Sequence, residues 1–162
     1  MAQTVRKPLP RAMKTKSYSL DESPGFLIYR VNTQGTNALR RALQAAGYDV
    51  TPEQWAVLAR LRQEEGTNQT QLGEKMLKDR HNITRILNLL EKRGYVERRP
   101  DEADKRVYRV FLTEAGRVTQ EELAPVVLNH RKLTFKGLTP EDLRTMRILL
   151  ERIVRNLEER LK

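Results

Sequence analysis

The stretch from Asn68 to Leu112, NQTQLGEKMLKDRHNITRILNLLEKRGYVERRPDEADKRVYRVFL, constrains the fold of this chain more than any other. Ile83, Ile86, Leu87 and Leu90 recur at intervals of three and four. On a helix of about 3.6 residues per turn they form one apolar stripe. The opposite side carries His81, Thr84, Arg85, Asn88 and Lys92. Such a helix must bury one face and leave the other to a polar partner. A shorter helix-forming segment opens before it at Asn68, and two β-rich runs follow, Tyr95 to Arg99 and Val107 to Leu112. Between those runs lies Pro100-Asp101-Glu102-Ala103-Asp104-Lys105-Arg106, too long and too charged for a minimal hairpin turn. The expected order is therefore helix, turn, second helix, and a two-stranded hairpin projecting as a wing.

The residue types on the polar face narrow the choice of partner. Arg pairs bidentately with guanine, Asn with adenine, and the Thr methyl touches thymine, all in the DNA major groove. An ordinary solvated helix face has the same pattern, so total charge becomes relevant. The chain has 31 Lys and Arg against 21 Asp and Glu, a formal net charge of +10, which favours a polyanion. With 162 residues it can form one domain with a real core, or a lobe plus an extension. Charged residues at 32% and aromatics at 6% fit a mainly helical protein.

Other chemistries find little support. The chain has no cysteine, which removes thiolate nucleophiles, thiol redox sensing, disulfides and cysteine metal sites. His81 and His130 lie far apart, so neither a metal site nor a cofactor is expected. No paired carboxylates in an apolar setting, phosphate-cradling glycine loop or nucleophile with its base can be found, so an enzyme is not expected. No apolar run approaches the roughly 20 residues that span a bilayer. The N-terminus has no continuous apolar core of the secretory kind, and the expected location is cytoplasmic.

Punctuation along the chain divides it into four parts. Residues 1–22 form a basic arm with Arg6, Lys7, Arg11, Lys14 and Lys16, suited to non-specific phosphate contacts or to no dedicated role. Residues 23–50 begin at Ser23-Pro24, a cap followed by proline, and read as a helix stopping near Gly47. Residues 51–112 are the DNA-binding lobe. There Thr51-Pro52-Glu53-Gln54 and Asn68 with Gln71 form capping boxes, Asp79 caps the polar-faced helix, and Gly94 ends it. Residues 113–162 hold a helix capped by Thr113 and broken or bent near Pro125, then a last helix opened by Thr139-Pro140. The last helix carries Leu143, Met146, Leu150, Ile153, Leu157 and Leu161 at coiled-coil-like spacing. Pairing the first and last helices between two chains explains their apolar faces better than packing within one.

The segments TPEQWAVLARL, QLGEKM and ITRILNLLEKRGYVERRPDEADKRVYRVFLTEAG resemble the MarR family of transcriptional regulators. The most specific part runs from the end of the polar-faced helix through Arg-Arg-Pro and Asp-x-Arg to the closing Leu-Thr-x-x-Gly. The resemblance covers the chain from about residue 24 onward. It implies a mainly α winged helix-turn-helix protein with a small β-hairpin wing. Its N- and C-terminal helices would build a dimerisation lobe, and the polar-faced helix would enter the major groove. It also implies that Arg106 reaches into the minor groove, where a narrow groove concentrates negative potential, and that Asp104 holds the wing loop. Arg80, Arg98, Arg99 and Lys105 suit phosphate contacts, His81, Thr84, Arg85 and Asn88 lie on the face that could read bases, and Asn82 is a further DNA-binding candidate.

Many family members bind small lipophilic or phenolic effectors between the dimer helices and the DNA lobe, and Tyr29, Trp55 and Arg62 are candidates for such a cleft here. The expected activity is that of a homodimeric, sequence-specific repressor on an inverted-repeat operator in double-stranded DNA. A sequence-indifferent architectural DNA protein is the alternative.

Overall fold

A computed structural model describes residues 19–160. Most of the basic arm and Leu161 lie outside the described residues. Helix α1 spans Pro24–Ala45, α2 Pro52–Gln63, α3 Gln69–Lys75, α4 Arg80–Lys92, α5 Glu114–Thr134 and α6 Pro140–Glu159. The strands are β1 at Thr67–Asn68, β2 at Val96–Pro100 and β3 at Tyr108–Leu112. Two compact units are distinguished, one ending at Gln34 and one beginning at Gly35. All packing described below lies within the second.

Local chemistry starts the helices where it was expected to. The Thr51 hydroxyl accepts from the Gln54 amide at 3.2 Å, and the Thr51 amide donates to Gln54 Oε1 at 3.0 Å, a complete capping box. Thr139 and Asp142 form a second reciprocal box at the start of α6. Asp79 Oδ1 accepts from the Asn82 amide at 2.8 Å and opens α4. At α3 only one arm of the expected box forms, Asn68 Oδ1 accepting from the Gln71 amide at 2.9 Å. Helix α5 runs through Pro125 to Thr134, so of the expected break or bend there is no break.

The sheet also departs from expectation. It is three-stranded rather than a simple hairpin, in the order β1-β3-β2, with antiparallel pairing throughout. Thr67 stands opposite Val110 on one side of β3 while Arg98 stands opposite Val110 on the other. The sheet thus ties the turn before α3 to the base of the wing.

One core lies under the helix-turn-helix. Val57, Leu58 and Leu61 of α2 meet Ile83, Ile86, Leu87 and Leu90 of α4, closed by Leu72, Val96, Val110 and Leu112. A second, smaller cluster joins Leu43, Val50 and Leu123, with Trp55, Tyr48 and Tyr95 packed around it. Tyr95 borders both clusters, so the start of α5 is seated against it. By contrast α6 buries no residue. Leu150, Ile153 and Leu157 of its expected seam are exposed, as are Leu27, Ile28 and Val31 of α1.

The α5 seat explains the glycine of the Leu-Thr-x-x-Gly run. The Tyr95 carbonyl accepts from the Thr113 amide at 3.1 Å, and a Cβ on Gly116 would stand 1.9 Å from that same oxygen. Backbone must move to admit any side chain. Gly116→Ala is therefore expected to destabilise the fold by about 3 kcal/mol, measured by urea unfolding. A loss below about 0.5 kcal/mol would mean that α5 is not seated this closely.

Candidate nucleic-acid interface

Burial of the Ile83, Ile86, Leu87 and Leu90 stripe sets the rotation of α4 about its axis. Side chains on the other side then face outward: His81, Asn82, Arg85 and Asn88 are exposed, and Thr84 is half-buried. Arg80, His81, Thr84, Arg85 and Asn88 line a shallow groove of ≈ 650 Å³ together with Gln69 and Leu89. Beside it, a cleft of ≈ 590 Å³ runs from Asn68 and Arg80 to Arg106 and Tyr108, so that the start of α4 and the wing border one depression.

The expected site residues fall into two sets. Among the described residues, Arg80, His81, Arg85, Lys105 and Arg106 have no side-chain hydrogen bond or ion pair. The others are engaged within the chain. Thr84 donates to the Arg80 carbonyl and accepts from Gln69 Nε2, both at 2.6 Å, so its methyl is what remains to present. Asn82 Nδ2 donates to Asp79 Oδ2 at 2.7 Å. The Asp79 carboxyl is held below the usual carboxylate range, mainly by the Asn82 amide and then by its side chain. Arg99 pairs with Glu97 and lies over the Phe111 ring, 4.7 Å from its centroid. Arg98, expected beside phosphate, is instead turned back onto α4, where it pairs with Glu91 at 2.5 Å and with Asn88 at 2.8 Å.

The wing is fixed by one residue pair, Asp101 and Arg109. Asp101 is buried. Its Oδ1 accepts from the amides of Ala103 at 2.9 Å and Asp104 at 3.0 Å, and its Oδ2 is paired with Arg109 Nε. Arg109 also donates to the Gly66 carbonyl at 2.8 Å, binding the wing base to the turn before β1. Asp104 has the smaller task of closing the tip, accepting from the Arg106 amide at 3.0 Å. Lys105 and Arg106 are thereby held exposed at the tip. The Pro-Asp turn pattern contained a local signal for Asp101. Nothing local marked Arg109, whose partners lie across the sheet and in a distant turn.

Of the effector candidates, Tyr29 is exposed on α1, Trp55 packs beside the Leu43 cluster, and Arg62 pairs with Glu121 at 2.9 Å. The indole Nε1 of Trp55 is buried and has no hydrogen-bond partner. Among the described residues there is no group of three or more His, Cys, Asp or Glu that could hold a metal, and no helix is long and apolar enough to cross a membrane.

Arg109, and after it the Asp104 and Ala103 amides, hold the Asp101 carboxyl below the usual range. A depressed carboxylate contributes its full stability above the unfolded value, about 3.9, and loses it as pH falls through the lower folded one. The Ala103 and Asp104 amide resonances are accordingly expected to hold their positions through pH 4 and move only below it. An acid titration followed by NMR checks this; movement centred near 4 would show that the clamp does not hold in solution.

Residues 50–108 match the MarR family. The HTH-type transcriptional regulator TtmR of Methylorubrum extorquens is 31% identical over 141 residues, covering 87% of this chain and 69% of that protein. The HTH-type transcriptional repressor IacR of Pseudomonas putida is 27% identical over 138 residues, covering 85% of this chain and 81% of that one. Among solved structures, a mutant MarR from E. coli complexed with operator DNA matches with a TM-score of 0.74 at 30% identity, over 80% of this chain and 91% of that chain. With helix-turn-helix, wing and similarity all falling in one stretch, the chain belongs to the MarR family of transcriptional regulators.

Proposed function

We propose that this regulator is a homodimeric, sequence-specific repressor of an inverted-repeat operator, with α4 as its reader and the β2–β3 loop as a minor-groove probe. One observation carries the reading. The apolar side of α4 is fully used by the core while its Arg, His and Asn side stands exposed beside an arginine-tipped wing. A surface built for stability alone gains little from clustering Arg80, Arg85, Lys105 and Arg106 without acids to pair them. A duplex gives those cations phosphates, and it gives Arg85 a guanine edge to pair with bidentately.

The dimer rests on apolar surface left open. Residues 23–50 and 113–162 serve as the dimerisation segments in this reading, and the exposed Ile153, Val154 and Leu157 of α6 need a helical partner. A two-fold axis then spaces two readers about one helical turn, ~34 Å, apart, which imposes an inverted repeat on the site. Repression follows if that site overlaps a promoter, and the relative IacR is named a repressor. A small lipophilic or phenolic effector acts by binding more tightly to a dimer whose readers are wrongly spaced. It shifts the population only by that difference in affinity.

Footprinting on fragments selected from random duplex DNA is expected to reveal a discrete inverted repeat. Arg85→Ala is expected to cost about 1–3 kcal/mol on the best site and to relax its base preference. Arg106→Ala is expected to weaken binding chiefly where the flanking minor groove is narrow. Equal losses on selected and random DNA for Arg85→Ala, with no repeat in the footprint, would favour a sequence-indifferent architectural role instead.

A further inference from the structure

Arg98 is the third residue of β2, and its side chain is only 17% exposed. Nη1 donates to Glu91 Oε2 at 2.5 Å, and Nη2 donates to Asn88 Oδ1 at 2.8 Å. Its Nε is enclosed and has no partner, so the guanidinium is held by these two α4 side chains rather than by solvent. A guanidinium has five N–H donors and no acceptor, so the Asn88 atom that faces it is the carbonyl oxygen. The amide group of Asn88 is then left on the other branch, on the exposed face of α4 that lines the groove with His81 and Arg85.

This tether changes what Asn88 is able to recognise. An untethered asparagine swings its amide to donate to N7 and accept from N6 of adenine, the bidentate pair of the major groove. Here one lone pair of Oδ1 is committed to a cation, and rotation of the amide would break a charge-assisted bond. The cation also draws density from the amide, which weakens the oxygen as an acceptor and strengthens Nδ2–H as a donor. Guanine presents O6 and N7 as acceptors, and thymine presents O4. Cytosine presents a donor, and adenine presents a donor beside its N7.

We infer that Arg98 is a positioning residue that locks the Asn88 amide with its N–H leading, so that Asn88 selects a keto base, guanine or thymine, in preference to adenine. The inference rests on α4 being the reader. Arg98 itself touches no base in this arrangement; it acts through Asn88, with Glu91 fixing its other end.

Selection of bound fragments from random duplex DNA by the full chain, compared among variants, tests it. Asn88→Ala identifies the position that Asn88 reads, because preference there flattens. Wild type is expected to favour guanine or thymine at that position by about threefold to tenfold, the worth of one hydrogen bond. Arg98→Met keeps the length and removes the donors; it is expected to abolish that preference or turn it toward adenine, leaving other positions and binding to random DNA unchanged. Arg98→Lys, which can still donate to Oδ1, is expected to restore it.

If Arg98→Met does not fold by circular dichroism, Asn88→Asp replaces it as the test. A carboxylate pairs with Arg98 but has no donor to present, so the keto preference should move to cytosine. Adenine preferred by wild type at the Asn88 position, or an unchanged preference in Arg98→Met or Asn88→Asp, overturns the locking. So does a uniform loss on all sequences in Arg98→Met, which would mark Arg98 as a phosphate contact. Failure of wild type to select any sequence would instead overturn the reader assignment, and this inference with it.

Discussion

Burial of one stripe on α4 is the interaction on which the remaining geometry depends. Ile83, Ile86, Leu87 and Leu90 are all essentially removed from water, each contributing roughly 1.5–3 kcal/mol. The exposed ion pairs around them contribute about 0–1 kcal/mol apiece. Hydrophobic burial therefore decides which way α4 is turned, and the charged residues follow. A rotation by one residue, about 100°, would drive Arg85 or Asn88 into the core and expose a leucine. Gly73 keeps α3 close enough for this packing, since a Cβ there would meet the Lys78 carbonyl at 3.1 Å and Ile83 Cγ2 at 3.3 Å. The turn after it passes through Leu77 at φ 51, a left-handed conformation in a non-glycine residue. Such a conformation persists only where the surroundings hold it, and here the Lys78 amide bonds back to the Gly73 carbonyl at 2.9 Å.

On the outward side, the polar groups are not a loose collection. Thr84, Asn82 and Asn88 each have a hydrogen bond that fixes which atom they present, and Asp101 with Arg109 does the same for the wing backbone. Groups ordered before a partner arrives lose less freedom on binding, which favours affinity without added contacts. Arg85, His81 and Arg106 retain that freedom. In the proposed mechanism the fixed groups discriminate by shape and hydrogen-bond sense, and the free cations adapt to the phosphate track and the groove.

Sequence patterns revealed most of the fold because its starts are locally encoded. Thr51 with Gln54, Asp79 with Asn82, and Thr139 with Asp142 each complete a cap within three residues, and the α4 stripe is legible from spacing alone. Three features escaped for one common reason, that their partners are distant along the chain. Strand β1 is two residues long and exists only because Thr67 meets Val110. Arg109 reaches back to Gly66, and Arg98 folds onto Asn88 only after β2 has turned back along α4. For a different reason, Pro125 does not break α5. Proline in a helix interior removes one hydrogen bond and crowds a carbonyl, yet α5 is held on both sides of it, by Leu123 in the second cluster and by Val126 and Val127 packed against it.

The distribution of charge completes the picture. Ten ion pairs occur among the described residues, and several serve to join elements: Arg62 to Glu121, Arg117 to Glu65, Arg93 to Asp49. Glu65 is accordingly held below the usual carboxylate range by Arg117. Away from the α4–wing surface, then, many cations have an acid at hand. At that surface Arg80, Arg85, Lys105 and Arg106 form no ion pair among the described residues, although Arg85 helps to hold the Glu53 carboxyl low and an excess of ten positive charges already repels itself. Such concentration opposes folding slightly and is not explained by stability. In the proposed role, counterions condensed on a duplex would supply the compensating term, because each phosphate neutralised by a Lys or Arg side chain releases a bound cation. These four residues, which form no ion pair among the described residues, would in that role be those through which a polyanion gains most.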